Sequence, residues 1–519
     1  MHKRTSRRYA GAFYLALACF AALLAAACSN APAAQPNSVT FLLESMPTNL
    51  DPRIATDAFS QRLDGLIFSS LVERDPSMNL RGDLADRWET PDPLTYVFHL
   101  RDGVKFHDRR SLTSRDVKFT FDSILSGAIQ TPKRGAFRML KSVETPDALT
   151  VVFHLSEPYA SFPWSLARPA IGIVPAGASA DFAQHPVGSG PFRFISSRQD
   201  DEVVLERNDS YFRSAPSVQH VRFRIVPEAV VRGLELRKGS GDLEVNSLTP
   251  DMVPVLAKAE NVAVAEQPGS ILAYLAFNCD DPALAKREVR QALAYATDRE
   301  SLVKYLLRGQ ARVADGLLPP GNWAYEPNMT RYGYDPAKAE QLLDQAGFPR
   351  RGNPRTGTRI QLTLKTSTDQ SVRLLSEVLQ DQWRRAGIDL QLQPLEFATL
   401  FSDITRGNFQ IYTLRWVGAN NDPDIFEFVF SSKRIPPAGA NRGRYRNPQL
   451  DALVDQARVE SDREKRKALF SRVQQIVAQD EPYLPLWFLD NISVHRARVT
   501  DIQLTPSGDY DFLGSVVVR

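Results

Sequence analysis

Residues Leu84 to Leu125 read LADRWETPDPLTYVFHLRDGVKFHDRRSLTSRDVKFTFDSIL. From Thr95 to Leu100 bulky apolar residues alternate with others, the pattern of a half-buried strand. Asp102-Gly103 is a tight-turn pair, because glycine tolerates the positive φ that hairpin turns require. A second alternating run, Val104 to His107, follows, so the unit predicts a hairpin. Thr113 and Asp116 then form an S/T-x-x-D/E cap. They open a helix that places Val117, Phe121, Ile124 and Leu125 on one face.

This order of residues resembles the signature of the family 5 solute-binding proteins, the extracytoplasmic receptors of peptide, nickel and related ABC importers. The family pattern is a charged residue, an aromatic strand, L-R-x-G-V-x-F-H-D-G and then L-T-A-x-D-V-x-F. Leu100, Arg101, Gly103, Val104, Phe106, His107, Asp108, Leu112, Thr113, Asp116, Val117 and Phe119 all fit it. Arg109 stands where the family has a glycine. The motif marks a fold and names no ligand. His107 and Asp108 are expected to finish a hairpin and not to catalyse, since no nucleophile or base accompanies them.

Residues 1–27 predict a signal peptide. Lys3, Arg4, Arg7 and Arg8 form a basic region, and Gly11 to Ala27 is apolar and ends in small residues. Leu24-Ala25-Ala26-Ala27-Cys28 resembles a bacterial lipobox, with Cys28 as the acylated first residue. An anchor of that kind ties a protein to a membrane surface without a spanning helix. Ser29 after Cys28 resembles outer-membrane sorting more than inner-membrane retention. Residues 28–37 are expected to be a tether.

The full chain has 63 basic and 60 acidic residues. Removing the four basic residues of 1–27 leaves 59 against 60, so the apparent basicity belongs to the export signal and no nucleic-acid partner is implied. Of three cysteines, only Cys279 would remain as a free thiol, so no internal disulfide is expected. No Cys/His cluster suggests a metal, and no cofactor is expected. Cys279 reads as a small half-buried residue at a strand end.

The resemblance continues along the exported chain. Val39–Leu43 reads as a first strand and Leu63–Val72 as an amphipathic helix. Asn49-Leu50-Asp51-Pro52 is similar to the family's S-L-D-P, and Pro186-Val187-Gly188-Ser189-Gly190-Pro191-Phe192 to its P-V-G-T-G-P-Y/F. The latter runs into a strand and lacks a Lys-Ser/Thr ending, so it predicts a bend and not a phosphate cradle. Val289-Arg290-Gln291-Ala292-Leu293-Ala294-Tyr295-Ala296-Thr297-Asp298-Arg299 is similar to V-R-Q-A-L-x-Y-A-I-D-R.

Arg359 to Trp416 reads independently as an alternating unit. Strands at Ile360–Lys365, Ile388–Leu392 and Phe409–Trp416 are separated by helices at about 369–386 and 397–406, which predicts a parallel α/β lobe. Asn447 and Pro448 open one further helix. Ser461 and Glu464 predict a capping box for the next, with Leu469, Val473, Ile476 and Val477 facing the core. Tyr483–Phe488 reads as a return strand.

The fold the resemblance implies is α/β and two-lobed, a periplasmic-binding-protein fold of the large cluster C type. It is hinged by crossings near 272–278 and 482–488. The expected units are lobe I at 38–272, with an extra subdomain at about 74–185, lobe II at 273–484, and a return to lobe I at 485–519.

Ligands of parallel α/β sheets sit at the carboxyl ends of strands. The strand ending at Trp416 is followed by Val417-Gly418-Ala419-Asn420-Asn421-Asp422-Pro423-Asp424. An ordinary Asn/Asp/Pro turn after a core tryptophan would read the same way. The resemblance adds that W-x-x-D-x-x-D-P lines the family's cleft. The expected ligand-binding residues are therefore Trp416, Val417, Gly418, Asn420, Asn421, Asp422, Arg415 and Tyr412; on the opposite lobe the resemblance implies Thr56, Asp57, Ala58 and Phe59, which align with the family segment that lines the cleft, where a surface loop leading into a helix would read the same way. In peptide-binding relatives an Asp three residues after the Trp pairs with the free amino terminus. Here Ala419 stands there, and an ammonium buried without a carboxylate is strongly unfavourable.

The function implied is an extracytoplasmic lipoprotein that binds a peptide or peptide-like solute between two lobes and delivers it to an ABC permease. A monomer without catalysis is expected. A sensory or chaperone-like receptor on the same fold is the alternative. A secreted hydrolase is disfavoured by the lack of G-x-S-x-G and H-E-x-x-H.

Overall fold

The computed structural model describes residues 37–75, 78–167, 169, 171–179, 181–353, 357–418 and 422–519. Its axis is a pair of long antiparallel strands, Val262–Phe277 and Tyr483–Arg496, matched from Val262 opposite Arg496 to Ala276 opposite Tyr483. They sit in the middle of an 11-stranded sheet. On one side lie Ile411–Trp416, Ile360–Ser367 and Ile388–Leu395; on the other lie Leu243–Val245, Ser38–Leu43, His220–Ile225, Glu202–Arg207 and Phe192–Arg198, and the short Ala311–Val313 pairs with Tyr483–Arg496 as the eleventh. The ladder of the long pair slips between Gln267 and Ile271. Gly269 lies there, and a Cβ on it would come within 2.1 Å of the Leu489 carbonyl oxygen. The slip divides a half that pairs towards the first lobe from a half that pairs towards the second.

The second lobe's three outer strands are parallel, as alternating strands and helices predict. Helix Gln370–Arg385 begins at Asp369, whose side chain accepts from the Ser371 and Val372 amides, and Gly387 follows it at φ 82°. Helix Phe397–Arg406 lies on the other face of the sheet. One face buries Leu362, Leu364, Trp383 and Ile388; the other buries Tyr274, Tyr412, Phe426, Phe430 and Phe470.

In the first lobe a separate four-stranded antiparallel sheet carries the Leu84–Leu125 stretch, in the order Ala85–Asp92, Thr95–Leu100, Thr150–Leu155, Leu140–Asp147. The hairpin differs from expectation. Thr95–Leu100 pairs backward with Ala85–Asp92 and forward with Thr150–Leu155, and Val104–His107 is not a strand. Val104 and Phe106 alternate because both side chains enter the core. Their backbone bonds locally instead: the Phe106 amide donates to the Arg110 carbonyl and the Leu112 amide to the Val104 carbonyl. The capping box of Thr113 and Asp116 is present, and helix Ser114–Leu125 buries Val117, Phe121 and Ile124. Arg109 occupies the glycine position at φ 71°, so the left-handed turn persists under a side chain that disfavours it.

Two helix starts also move. The first is Ala58–Ile67, not Leu63–Val72, because Asp57 caps it; Val72–Arg74 is instead a short strand on Leu80–Gly82. The last long helix, Arg463–Asp480, is capped by Asp462 and not Ser461. In both, an Asp carboxylate accepts the free first-turn amides.

Candidate functional site

The register of the long strand orients the site. Leu272 lies opposite Trp416 and Phe277 opposite Ile411. Trp416 is therefore at the end nearest the slip, and the carboxyl ends of all three parallel strands point towards the first lobe. Val417 and Gly418 emerge there exposed, with Gly418 at φ 73°. Arg415 is exposed as well, on the opposite face of its strand.

Trp416 is half-buried and ends a column of rings. It stacks on Tyr274 at 6.0 Å, which stacks on Tyr483 at 4.5 Å. The position of Tyr412 corrects the expectation that it lines the site. It lies on the same face of the strand as Trp416 but is covered by packing, fully buried, its hydroxyl 3.3 Å from that of Tyr483. Burial pushes the Tyr274 and Tyr483 phenols far up, so they stay neutral hydrogen-bonding groups. Arg442 lies over both Trp416 and Phe401, 5.7 and 4.9 Å from the ring centroids. Nothing in the sequence near position 442 pointed to this contact. Ala419, Asn420 and Asn421, and the expected lipidation residue Cys28, lie outside the described residues.

Asp422 is where the lobes touch. Its Oδ1 accepts from the Ser161 hydroxyl of the first lobe at 2.8 Å and lies 3.5 Å from Arg466. Arg466 pairs with Asp424 at 2.6 Å, donates to the Ala457 carbonyl and also reaches Ser161. Oδ2 of both carboxylates is buried without a hydrogen-bond partner. Burial therefore raises the Asp422 carboxyl to about 6, against the pull of Arg466. Beside it, the Ala160 amide donates to the Arg458 carbonyl, and Arg458 pairs with Glu157 at 2.6 Å. Tyr159 sits under Arg458 at 5.6 Å. Sequence reasoning found Asp422 but not Ser161, Tyr159, Arg458 or Arg466, which have no local motif.

On the opposite lobe, Asp57 is spent on structure. It caps its helix through the Ser60 amide and accepts from the Thr48 hydroxyl. Thr56 and Ala58 are exposed at that helix start, and Phe59 is half-buried against the first-lobe core.

His107 is held well away from any reactive partner. Its Nδ1 accepts from the Gly188 amide at 3.3 Å and its Nε2 donates to the Gly190 carbonyl at 3.1 Å. It ties the hairpin motif to the Pro186–Phe192 bend as a neutral ring, and burial lowers its pKa to about 4. A depression of about 340 Å³ lies at the far end of the second-lobe strands, beside Cys279. Its Arg446 is paired with Asp280 and its Arg287 with Asp480, which leaves those charges compensated. Among the described residues no group of three His, Cys, Asp or Glu is arranged to hold a metal ion.

The comparisons bear on the family and the fold. The model of "Bacterial extracellular solute-binding proteins, family 5 Middle" matches residues 79–435. The chain is 28% identical to Heme-binding protein A of Haemophilus influenzae, over 94% of this chain and 93% of that protein. It is 29% identical to Di/tripeptide-binding protein 1 of Pseudomonas aeruginosa, over 94% and 95%. Among solved structures it is similar to the ABC transporter substrate-binding protein CtaP of Listeria monocytogenes, with TM-score 0.83, 26% identity and 93% and 99% coverage. It is also similar to the oligopeptide-binding protein AppA of Bacillus subtilis in complex with a nonapeptide, with TM-score 0.76, 26% identity and 93% and 99% coverage.

Proposed function

This chain belongs to family 5 of the bacterial extracellular solute-binding proteins, and from that premise we propose that it captures a peptide or peptide-like solute between its lobes and hands it to an ABC importer. The observation that carries this reading is the meeting of Ser161 with Asp422 and Arg466, six residues beyond Trp416 at the ends of the parallel strands. A solute held at Trp416 would lie beside the contact that closes the lobes. Closure then reports occupancy to the permease, since a ligand that prefers the closed form shifts the population towards it. Binding strength comes from apolar surface removed from water and from the few polar groups at the strand ends.

In this reading Trp416, Val417, Gly418, Asn420, Asn421 and Arg415 contact solute, with Thr56, Ala58 and Phe59 facing them. Tyr412 supports Trp416 from behind, and Asp422 and Asp57 act through closure and capping. The lobes divide at about 272 and 484, with the subdomain at about 74–185 in the first. Residues 1–27 are removed on export and Cys28 carries lipid.

Native mass spectrometry of the exported chain should release a bound solute, which should raise the melting temperature. Trp416→Ala should abolish that rise; an unchanged rise would move the site away from the strand ends. For the anchor, Cys28→Ser should transfer the protein from the membrane to the soluble fraction.

A further inference from the structure

Arg442 differs from several other arginines of the second lobe, though Arg415 and Arg444 share its want of an ion pair among the described residues. Arg466, Arg458 and Arg446 each pair with a carboxylate. Among the described residues no ion pair joins Arg442 to an acid. Burial works against its charge, and the neighbouring phenols of Tyr412, Tyr274 and Tyr483 favour it. The guanidinium is half-buried between the Trp416 and Phe401 rings. A cation taken partly out of water without a counter-charge is costly.

The surroundings repeat the same bias. Trp416 Nε1, which can only donate, is buried with no acceptor. From Val417 to Asn421 the chain holds no acidic residue. Asp422, the first acid after Trp416, is engaged by Ser161 and Arg466. Phe401 and Phe397 continue the aromatic row into solvent; they stack at 6.0 Å and are 40% and 56% exposed. Both are on the helix that follows strand Ile388–Leu395, at the same carboxyl ends as Trp416. The place offers donors, positive charge and apolar faces. That set suits an anion better than an ammonium.

We propose, resting on the cleft reading, that the solute is anchored by an anion: Arg442 receives a carboxylate of a solute that has no free ammonium at that end, and its apolar body lies on Trp416 and Phe401. A planar guanidinium with five donors fits a carboxylate in two parallel hydrogen bonds, which a free peptide amino terminus cannot accept. The preferred class is therefore amino-blocked peptide acids and similar apolar acids.

The test uses titration calorimetry and melting at low ionic strength with two pools of Leu- and Phe-containing dipeptides. One pool is N-acetylated with a free carboxylate; the other has a free amine and an amidated end. The acetylated acids should bind and raise the melting temperature, and amidation of the best of them should weaken it about ten- to hundredfold. Arg442→Met should weaken that acid by a similar factor, and Arg442→Lys by less, because it keeps a point charge but loses the fork. The comparison of acid with amide needs no altered protein, so misfolding of a variant does not obscure it. Binding of the amine pool alone, or of acid and amide equally, overturns the anion anchor. The cleft reading then survives as long as Trp416→Ala removes that binding. Binding by neither pool overturns the anchor too. In that case the effect of Trp416→Ala on a co-purified solute judges the cleft by itself.

Discussion

His107 and Asp422 are both half-buried titratable residues beside a family motif, and they are satisfied in opposite ways. His107 lies in the first lobe and meets only first-lobe backbone, at Gly188 and Gly190. Its partners belong to its own lobe, so its hydrogen bonds do not cross to the other. Asp422 shares its hydrogen-bond donors with the other lobe, through Ser161, and keeps one oxygen unpartnered. The first arrangement builds a rigid body. The second makes closure depend on a small charged contact whose strength varies with what surrounds it, which suits a surface that must open again.

Replacing Arg466 should break this contrast most severely. Arg466→Met leaves Asp422 and Asp424 buried without their cation and should cost about 3–5 kcal/mol in urea unfolding. A loss below 1 kcal/mol would mean that the acids are solvated in the native protein.

Acid comes next. The ordinary imidazole pKa of 6.5 falls to about 4 at His107. Below 6.5 the unfolded chain takes up the proton first, so stability should drop as pH falls from 6.5 to 4, by on the order of 3 kcal/mol. Asp422 has the opposite sign. Its folded pKa is raised from 3.8 to about 6, so its contribution is full below 3.8 and is lost as pH rises through 6. Melting curves of His107→Gln should lose the acid-side fall, and those of Asp422→Asn should steepen it.

Ser161→Ala is a smaller change. It should cost about 1 kcal/mol and show as lobe opening in small-angle scattering more than as loss of folded protein. Glu157→Gln removes a half-exposed ion pair with Arg458 and should change stability by less than about 1 kcal/mol, and less still at high salt. An effect as large as that of Arg466→Met would relocate the closing contact to the rim.

Much of the fold was legible because its signals are short-ranged. Thr113 and Asp116 are three residues apart, and their capping box formed as read. The alternation at Ile360–Lys365 and the helix expected at about 369–386 placed the parallel lobe to within two or three residues. Misreadings occurred where a local pattern had two physical causes. Val104 and Phe106 alternate like a strand but do so to enter a core, and Ser461 looks like a cap beside a better one at Asp462. In the candidate site, strand period put Trp416 at a strand end, and the expectation that it lines a cleft came from the family resemblance together with that position. That Tyr412 is buried and that Arg442 lies on Trp416 were not visible, because the helices and loops that cover them come from distant sequence.

By itself, then, the sequence determined the elements and the family, since caps, turns and periodicity act over three or four residues and survive in any environment. Only the tertiary structure decided which charges are compensated. Ser161 meets Asp422 across 261 positions and Arg466 across 305. Contacts so distant in sequence leave no periodic trace in it. Whether an arginine is paired or left to seek an anion depends on the packed surroundings, where low polarity makes an absent partner costly.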